Sequence, residues 1–340
     1  MGKERLYIHR GLATRIEQHP TPPHATLDDV KVLQLSEGDG SSFHLVLKPY
    51  RVVFGGVRTY SRDTGFDILR LANMPSERKV VLITGATGGI GAATAIAFAR
   101  TGQYDLALHY NNASQEKRDA LRSTIEASAP AFDPRTGTPI PSKPRLEFYQ
   151  ADMSDFASVR ALHAAITQTY PHIDVLFNNA GSALGHQGVA SLASVPIDVF
   201  EATWRVNTGS AILLTQLCLP AMEAQGWGRV VFDSTVAALT GGSVGPHYAS
   251  SKSGLHGFVH WLAGNVAGKG VTVNAVAPAL VTGTGMMGEE GGEVARRMAG
   301  RIPVGRTGRP EEIADTVLWM VNTAYVTNKI ITVDGGLYPC

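Results

Sequence analysis

The sequence predicts an α/β protein: a doubly wound Rossmann-type fold with a seven-stranded parallel sheet, preceded by an N-terminal extension. Three observations carry that expectation. From Lys79 onward, short runs rich in β-branched residues alternate with longer helical patterns, as in a parallel sheet covered on both faces. Seven such runs occur in order. A glycine-rich turn, "VVLITGATGGIGAAT", joins the first run to the first helical pattern.

The seven runs are "KVVLIT", "DLALHY", "RLEFYQ", "IDVLFN", "RVVFDS", "GVTVNAVA" and "KIITVDGG". Between them, "GGIGAATAIAFARTG" opens at glycines, carries alanine and isoleucine at helical spacing, and stops at Gly102. "VFEATWRVNTGSAILLTQLCLPAM" reads as one longer helix of the same kind. In such a fold the ligand crevice lies beyond the carboxyl ends of the strands.

Two segments fall outside this rhythm. Residues 128–144, "SAPAFDPRTGTPIPSKP", are rich in Pro, Gly and Thr and read as a surface insertion between the second crossover helix and the third strand. Residues 1–77 form the extension, and 78–340 the main domain. Within the extension "FHLVLKPYRVVFGGVRTY" is expected to pair as a hairpin and "EQHPTPPHATLDD" to act as a linker. By composition the extension reads as poorly ordered or loosely docked.

Composition excludes several function classes. The 340 residues are 44% hydrophobic, with 30 basic against 29 acidic side chains and a formal charge of +1. With no basic run, nucleic acid is not an expected partner. Cys218 and Cys340 are too few for a disulfide framework, and no clustered histidines join them to make a metal site. No apolar stretch is long enough to span a membrane, and the N-terminus lacks a secretory layout. Glu4, Glu17, Asp28 and Asp29 argue against a mitochondrial presequence. The chain reads as soluble, in a reducing compartment, and cytoplasmic.

The glycine-rich turn is the first candidate site. Small residues let backbone approach a pyrophosphate, and the helix opening at Gly89 points its free amides and positive dipole end toward that anion. The expected contacts are Gly85, Thr87, Gly88, Gly89, Ile90 and Gly91. After the second strand, a carboxylate would accept from the ribose diol of NAD. This chain has Tyr110, Asn111 and Asn112 instead. No acid repels a 2′-phosphate there, and Asn111, Asn112 and Ser114 can donate to one, so NADP is expected over NAD.

The second candidate is "HYASSKSG". On a helix Tyr248 and Lys252 share one face at i and i+4, so the ammonium favours phenolate and is expected to lower the tyrosine pKa. The phenol then serves as a general acid or base. The small residues Ala249, Ser250 and Ser251 between them leave room for a flat ring.

Taken with "TGATGGIG", "FNNAG", "WRVNTGS" and "PVGRTGRPEEIADTVLWM…ITVDGG", in that order, the sequence resembles the short-chain dehydrogenase/reductase family, in particular its 3-oxoacyl-carrier-protein reductase-like members. The resemblance spans about Lys79 to Tyr338. It implies that Tyr248 exchanges a proton with a carbonyl or hydroxyl oxygen, that Lys252 bonds the nicotinamide ribose, and that Asn207 holds a water linking the lysine to solvent. It further implies that Asp152 and Met153 bracket the adenine, that Asn179, Ala180 and Gly181 line the ribose, and that Val281, after Pro278, bonds the carboxamide. The family's substrate-orienting hydroxyl falls at Thr235, with Ser234 in reserve. Taken residue by residue, Asp152 also reads as a helix cap, Asn179 as a turn former and Asn207 as a satisfied helical amide.

The segment "TGTGMMGEEGGEVARRMAGRIPVGR" reads as a lid over the substrate, since glycines permit hinge motion and methionines adapt to irregular apolar shapes. Trp204, His186 and His247 are further pocket candidates, the histidines ranking first as polar surface residues. The implied partners are a small-molecule carbonyl or alcohol, 3-oxoacyl thioesters among them, and further copies of the chain in a homo-oligomer, tetramer or dimer. The alternative from another class is a sensor or scaffold that binds NADP without turnover, against which the complete tyrosine, lysine and asparagine set argues.

Overall fold

The computed structural model describes residues 15–18, 31–36, 42–47 and 78–338, apart from 134–136, 138–139, 141–142, 190 and 286–291. The chain falls into two compact units, Met1–Arg78 and Lys79–Cys340.

In the first unit, β1 (Arg15–Gln18), β2 (Lys31–Ser36) and β3 (Ser42–Leu47) form an antiparallel sheet in that order. The register pairs Arg15 with Ser36 and Lys31 with Leu47. One expectation is corrected here. Glu17 and Gln18, read as the start of a linker, belong to β1. The first half of the expected hairpin is a strand, β3, paired with β2; the expected pairing with 51–60 lies outside the described residues.

The second unit carries all seven expected strands: β4 (Lys79–Ile83), β5 (Tyr104–Tyr110), β6 (Leu146–Gln150), β7 (Val175–Asn178), β8 (Gly228–Asp233), β9 (Val271–Pro278) and β10 (Lys329–Val333). They pair in parallel in the order β10-β9-β8-β7-β4-β5-β6. The chain leaves β4 toward β5 and β6, then returns to β7 on the other side. The order therefore reverses at the β4–β7 boundary, where a doubly wound sheet opens its crevice.

Alternation within each strand divides two cores. Val80, Leu82, Leu176, Val230 and Phe232 face α3 (Phe156–Thr169), α5 (Ser210–Gln225) and α7 (Pro246–Val266). Val81, Ile83, Leu108, Phe177 and Val231 face α1 (Gly89–Thr101), α2 (Gln115–Ser128) and α9 (Pro310–Asn322). Burial on both faces explains why the central runs are apolar throughout. Residues 129–145 join α2 to β6.

The single long helix expected around Asn207 is interrupted. The chain makes α4 (Ile197–Trp204), one π-turn at Arg205–Gly209, then α5. The Ser210 amide bonds the Arg205 carbonyl, five residues back. One inserted residue of this kind hardly alters apolar periodicity, so the pattern reads through it; such bulges gather at functional sites. Two short helices, α6 (Ala237–Thr240) and α8 (Glu293–Ala299), complete the unit. Among the described residues, no helix is long and apolar enough to cross a membrane.

Candidate active site

The glycine loop leaves β4 at the switch point and folds tightly on itself. Gly85 is left-handed at φ +65°, and a Cβ there would lie 3.0 Å from Asn179 Nδ2. A Cβ at Gly91 would come within 2.3 Å of the Gly85 carbonyl oxygen, and one at Gly89 within 2.2 Å of the Gly283 carbonyl oxygen. Only hydrogen fits at both. Gly88 is the N-cap of α1, with no side-chain cap and no acidic residue in the first turn. The opening amides and the dipole of α1 are thus left for an anion. Thr87 and Ile90 are partly exposed beside them.

The "NNAG" residues turn out to hold this loop in place. Thr84 Oγ1 accepts from the Asn179 and Ala180 amides at 2.9 Å each. Asn179 Nδ2 donates to the carbonyls of Thr84 (2.7 Å) and Gly85 (3.2 Å). Gly181 sits under the lysine: a Cβ there would lie 3.1 Å from Lys252 Nζ and 3.3 Å from Asn207 Oδ1. Met153 is buried and Asp152 exposed at the end of β6. Asp152 Oδ1 accepts from the Ser154 amide and hydroxyl, both at 2.8 Å, whereas the cap of α3 is Asp155.

His109, which the sequence reading passed over as one residue of a strand, ties the two sides of this cleft together. Its Nδ1 accepts from the Gly85 amide at 3.0 Å, which leaves Nε2–H to donate to the Ala151 carbonyl at 3.1 Å. Burial pushes the imidazole down from 6.5 to about 4, so it is neutral near pH 7. Unfolded, the ring takes up a proton that the folded chain refuses. Stability therefore falls as pH drops from about 6.5 to about 4, by about 3 kcal/mol in full. His109→Gln keeps an acceptor and a donor but cannot titrate. Denaturant unfolding at pH 7.5 and 4.5 should show the variant losing less stability than wild type between the two; equal losses would dismiss His109 as the acid-sensitive link.

Beyond β5, Asn111, Asn112 and Ser114 are exposed, and Ser114 caps α2 by accepting from the Lys117 amide at 3.3 Å. A cation unnoticed in the sequence lies among them. The Arg118 guanidinium covers the Tyr110 ring at 4.3 Å and donates to the Ala113 carbonyl at 2.7 Å. On sequence alone it is one charge of a solvated helix.

Tyr248 and Lys252 lie on the first turns of α7, with 7% and 1% exposure. Pro246 opens this helix at its first positions, where a missing N–H costs nothing. The Tyr248 ring packs with Ala183 and Ala237, the latter two residues past Thr235. Thr235 Oγ1 accepts from the Ala237 amide at 3.2 Å and donates to the Pro278 carbonyl at 3.3 Å. Ser234 points the other way, sharing a 2.7 Å hydrogen bond with His256 of α7.

Asn207 is buried in the π-turn. Its Oδ1 accepts from the Ser182 amide at 2.7 Å, and its Nδ2 donates to the Ser182 carbonyl and to Ser251 Oγ, each at 3.0 Å. Lys252 Nζ donates to the Asp233 carbonyl at 2.5 Å. Here one expectation is reversed. Burial, then the Asp233 carboxyl, push the Tyr248 phenol above its ordinary value instead of lowering it. Burial lowers the Lys252 ammonium, and Asp233 opposes that shift.

Val281 is buried and bridges Gly308, just after Pro278. The hydroxyl of Thr284 donates to the Val281 carbonyl at 2.9 Å. Residues 286–291 of the expected lid lie outside the described residues. His247, ranked as a surface residue, is instead 0% exposed; its Nε2 donates to the Ala183 carbonyl at 3.3 Å, and its ring meets those of His186 and Phe200 edge-on. Its helix begins at Pro246, and that first turn points it inward. Trp204 is 45% exposed.

Comparison with known proteins agrees with this arrangement. A family model described as short chain dehydrogenase matches residues 79–294. The chain is 34% identical over 267 residues to the 3-oxoacyl-(acyl-carrier-protein) reductase FabG of Thermotoga maritima, covering 78% of this chain and 99% of that protein. It is 28% identical over 263 residues to the 7alpha-hydroxysteroid dehydrogenase of Bacteroides fragilis, covering 77% of this chain and 95% of the other. The crystal structure of levodione reductase superposes with a TM-score of 0.66 at 28% identity, over 76% of this chain and 97% of that one. A glycine-cradled helix terminus, a Tyr–Lys turn on the same sheet edge and these matches together mean that the chain belongs to the short-chain dehydrogenase/reductase family, oxidoreductases that use NAD(P) and act on CH–OH or carbonyl groups.

Proposed function

We propose that the protein interconverts a ketone and a secondary alcohol using NADP, with 3-oxoacyl thioesters the first substrates to try. One observation carries this reading: Tyr248, Lys252 and Thr235 converge at the carboxyl edge of β8, on the same sheet edge as the uncapped terminus of α1. The bound nicotinamide supplies or accepts the hydride. Everything else falls to the protein. The glycine loop and the α1 amides hold the pyrophosphate; Asp152 and Met153 flank the adenine; Gly181 and Lys252 meet the ribose, and Val281 the carboxamide.

Tyr248 hands its phenolic proton to the substrate oxygen in reduction and takes it back in oxidation. Thr235 orients that oxygen by turning its hydroxyl from the Pro278 carbonyl to the substrate, while Ser234 is engaged by His256 on the other face. Lys252 supports the negative charge that develops on the phenol. Asn207, anchored to Ser182 and Ser251, fixes the turn that carries a water from the lysine to solvent.

Preference for NADP is supported by the missing acid after β5 and by Arg118 over Tyr110, a planar donor suited to a 2′-phosphate. Similarity to the 3-oxoacyl-(acyl-carrier-protein) reductase supports the thioester; similarity to the hydroxysteroid dehydrogenase keeps ring ketones on the panel. The exposed Ile197, Trp204 and Trp261 on α4 and α7 support a homo-oligomer, tetramer or dimer, that covers them. The deciding experiment follows NADPH and NADH absorbance with 3-oxoacyl thioesters, steroid ketones and cyclic diketones, on protein sized by light scattering. Tight NADPH binding with no ketone consumed would overturn the catalytic reading, and a mass of 36.2 kDa the oligomeric one.

A further inference from the structure

β8 ends on a carboxyl where its pattern calls for an apolar residue. Asp233 follows Val231 on the face that packs against α1 and α9. The residue keeps partial exposure, yet its Oδ1 is shut off from solvent with no hydrogen-bond partner among the described residues. A buried acceptor left unpaired is costly, and in a native site it calls for a reason. Its surroundings supply one. The backbone carbonyl of this same residue receives Lys252 Nζ, and Thr235 lies two positions on. Among the described residues, the ionisable groups acting on the carboxyl are those of α7: Lys252, which favours its charge, and Tyr248, whose ionisation it opposes. Its ladder partner Val276 on β9 is apolar, Asn178 and Asn179 at the end of β7 are neutral, and the glycine loop before α1 carries no charge. His256 engages Ser234 on the opposite face.

We infer that Asp233 is the charge-setting residue of the site: its carboxylate keeps Lys252 cationic while opposing phenolate at Tyr248, and so fixes the pH at which the tyrosine gives up its proton. The inference rests on the reading of Tyr248 as the proton-exchanging group. Burial raises the Asp233 carboxyl from 3.8 to about 6, with Lys252 pulling the other way. An acid whose folded pKa is raised costs the fold stability once pH rises past its unfolded value, and fully above the folded one. A residue kept at that cost serves the site before the fold.

Asp233→Asn, nearly isosteric, tests this in the full-length chain. Ionisation of Tyr248 should move down by about one pH unit, since a nearby like charge is removed. The alkaline limb of kcat/KM therefore shifts acidward in both reaction directions, and any inflection near pH 6 disappears. Independently of turnover, the melting temperature should rise at pH 7.5 and stay unchanged at pH 4. Asp233→Val, matching the β-branched residues of β8, should give the same two shifts if the asparagine variant does not fold. Superimposable pH profiles, with a melting temperature lowered at both pH values, would overturn the inference and leave Asp233 structural. The two readings fail separately: turnover surviving in Tyr248→Phe sinks the proton role of Tyr248, whereas the melting response tests Asp233 alone.

Discussion

Tyr248→Phe should lower turnover by about two to four orders of magnitude, the usual worth of a positioned general acid or base, and should leave NADPH affinity close to that of wild type. The reasoning runs through packing. The Tyr248 ring is held by Ala183, Ala237 and the flanking Val244, all apolar contacts that phenylalanine retains. Only the hydroxyl is lost. Phenylalanine leaves the glycine loop, its struts from Asn179 and the amides of α1 as they are, so NADPH binding should survive. Single-turnover kinetics beside fluorescence titration with NADPH separates the two effects. Turnover within about tenfold of wild type would remove Tyr248 from proton transfer.

Arg118→Ala should raise the NADPH dissociation constant about ten- to hundredfold and leave that of NADH nearly unchanged, because a hydrogen bond from a charged donor contributes about 1.5–3 kcal/mol. The side chain is half-buried at the start of α2, stacked on Tyr110 and anchored on the Ala113 carbonyl. Held this way it loses little freedom on meeting a phosphate. The NADPH constant of wild type should also weaken with salt more steeply than that of NADH. Equal losses for both cofactors would mean that Arg118 shapes the adenine side generally and does not read the 2′-phosphate.

The main sheet was legible because a strand buried on both faces reads as an unbroken apolar run, and all seven runs became strands. The glycine loop was legible for a local reason: no side chain fits where Gly89 and Gly91 meet carbonyl oxygens. Helical spacing placed Tyr248 and Lys252 on one face without knowledge of the rest of the fold. Other features left no such trace. The π-turn at Asn207 adds one residue to a helix whose periodicity survives it. Alternation likewise marked residues 43–47 as a strand without showing that β2 would lie beside it.

The most informative misses were contacts between distant positions. His109 bonds residues 24 and 42 positions away in opposite directions, and Asp233 meets Lys252 only after α7 folds back onto β8. The reversed shift of Tyr248 has the same origin, since spacing shows which charge is near but not how deeply the pair is buried. By itself the sequence determined the elements, the tight glycine loop and the Tyr–Lys pair, because backbone sterics and side-chain period act over a few residues. Only the tertiary structure decided strand order, burial and the charges that meet across the cleft. Desolvation and Coulomb forces depend on distance in space, and only the folded chain sets that distance.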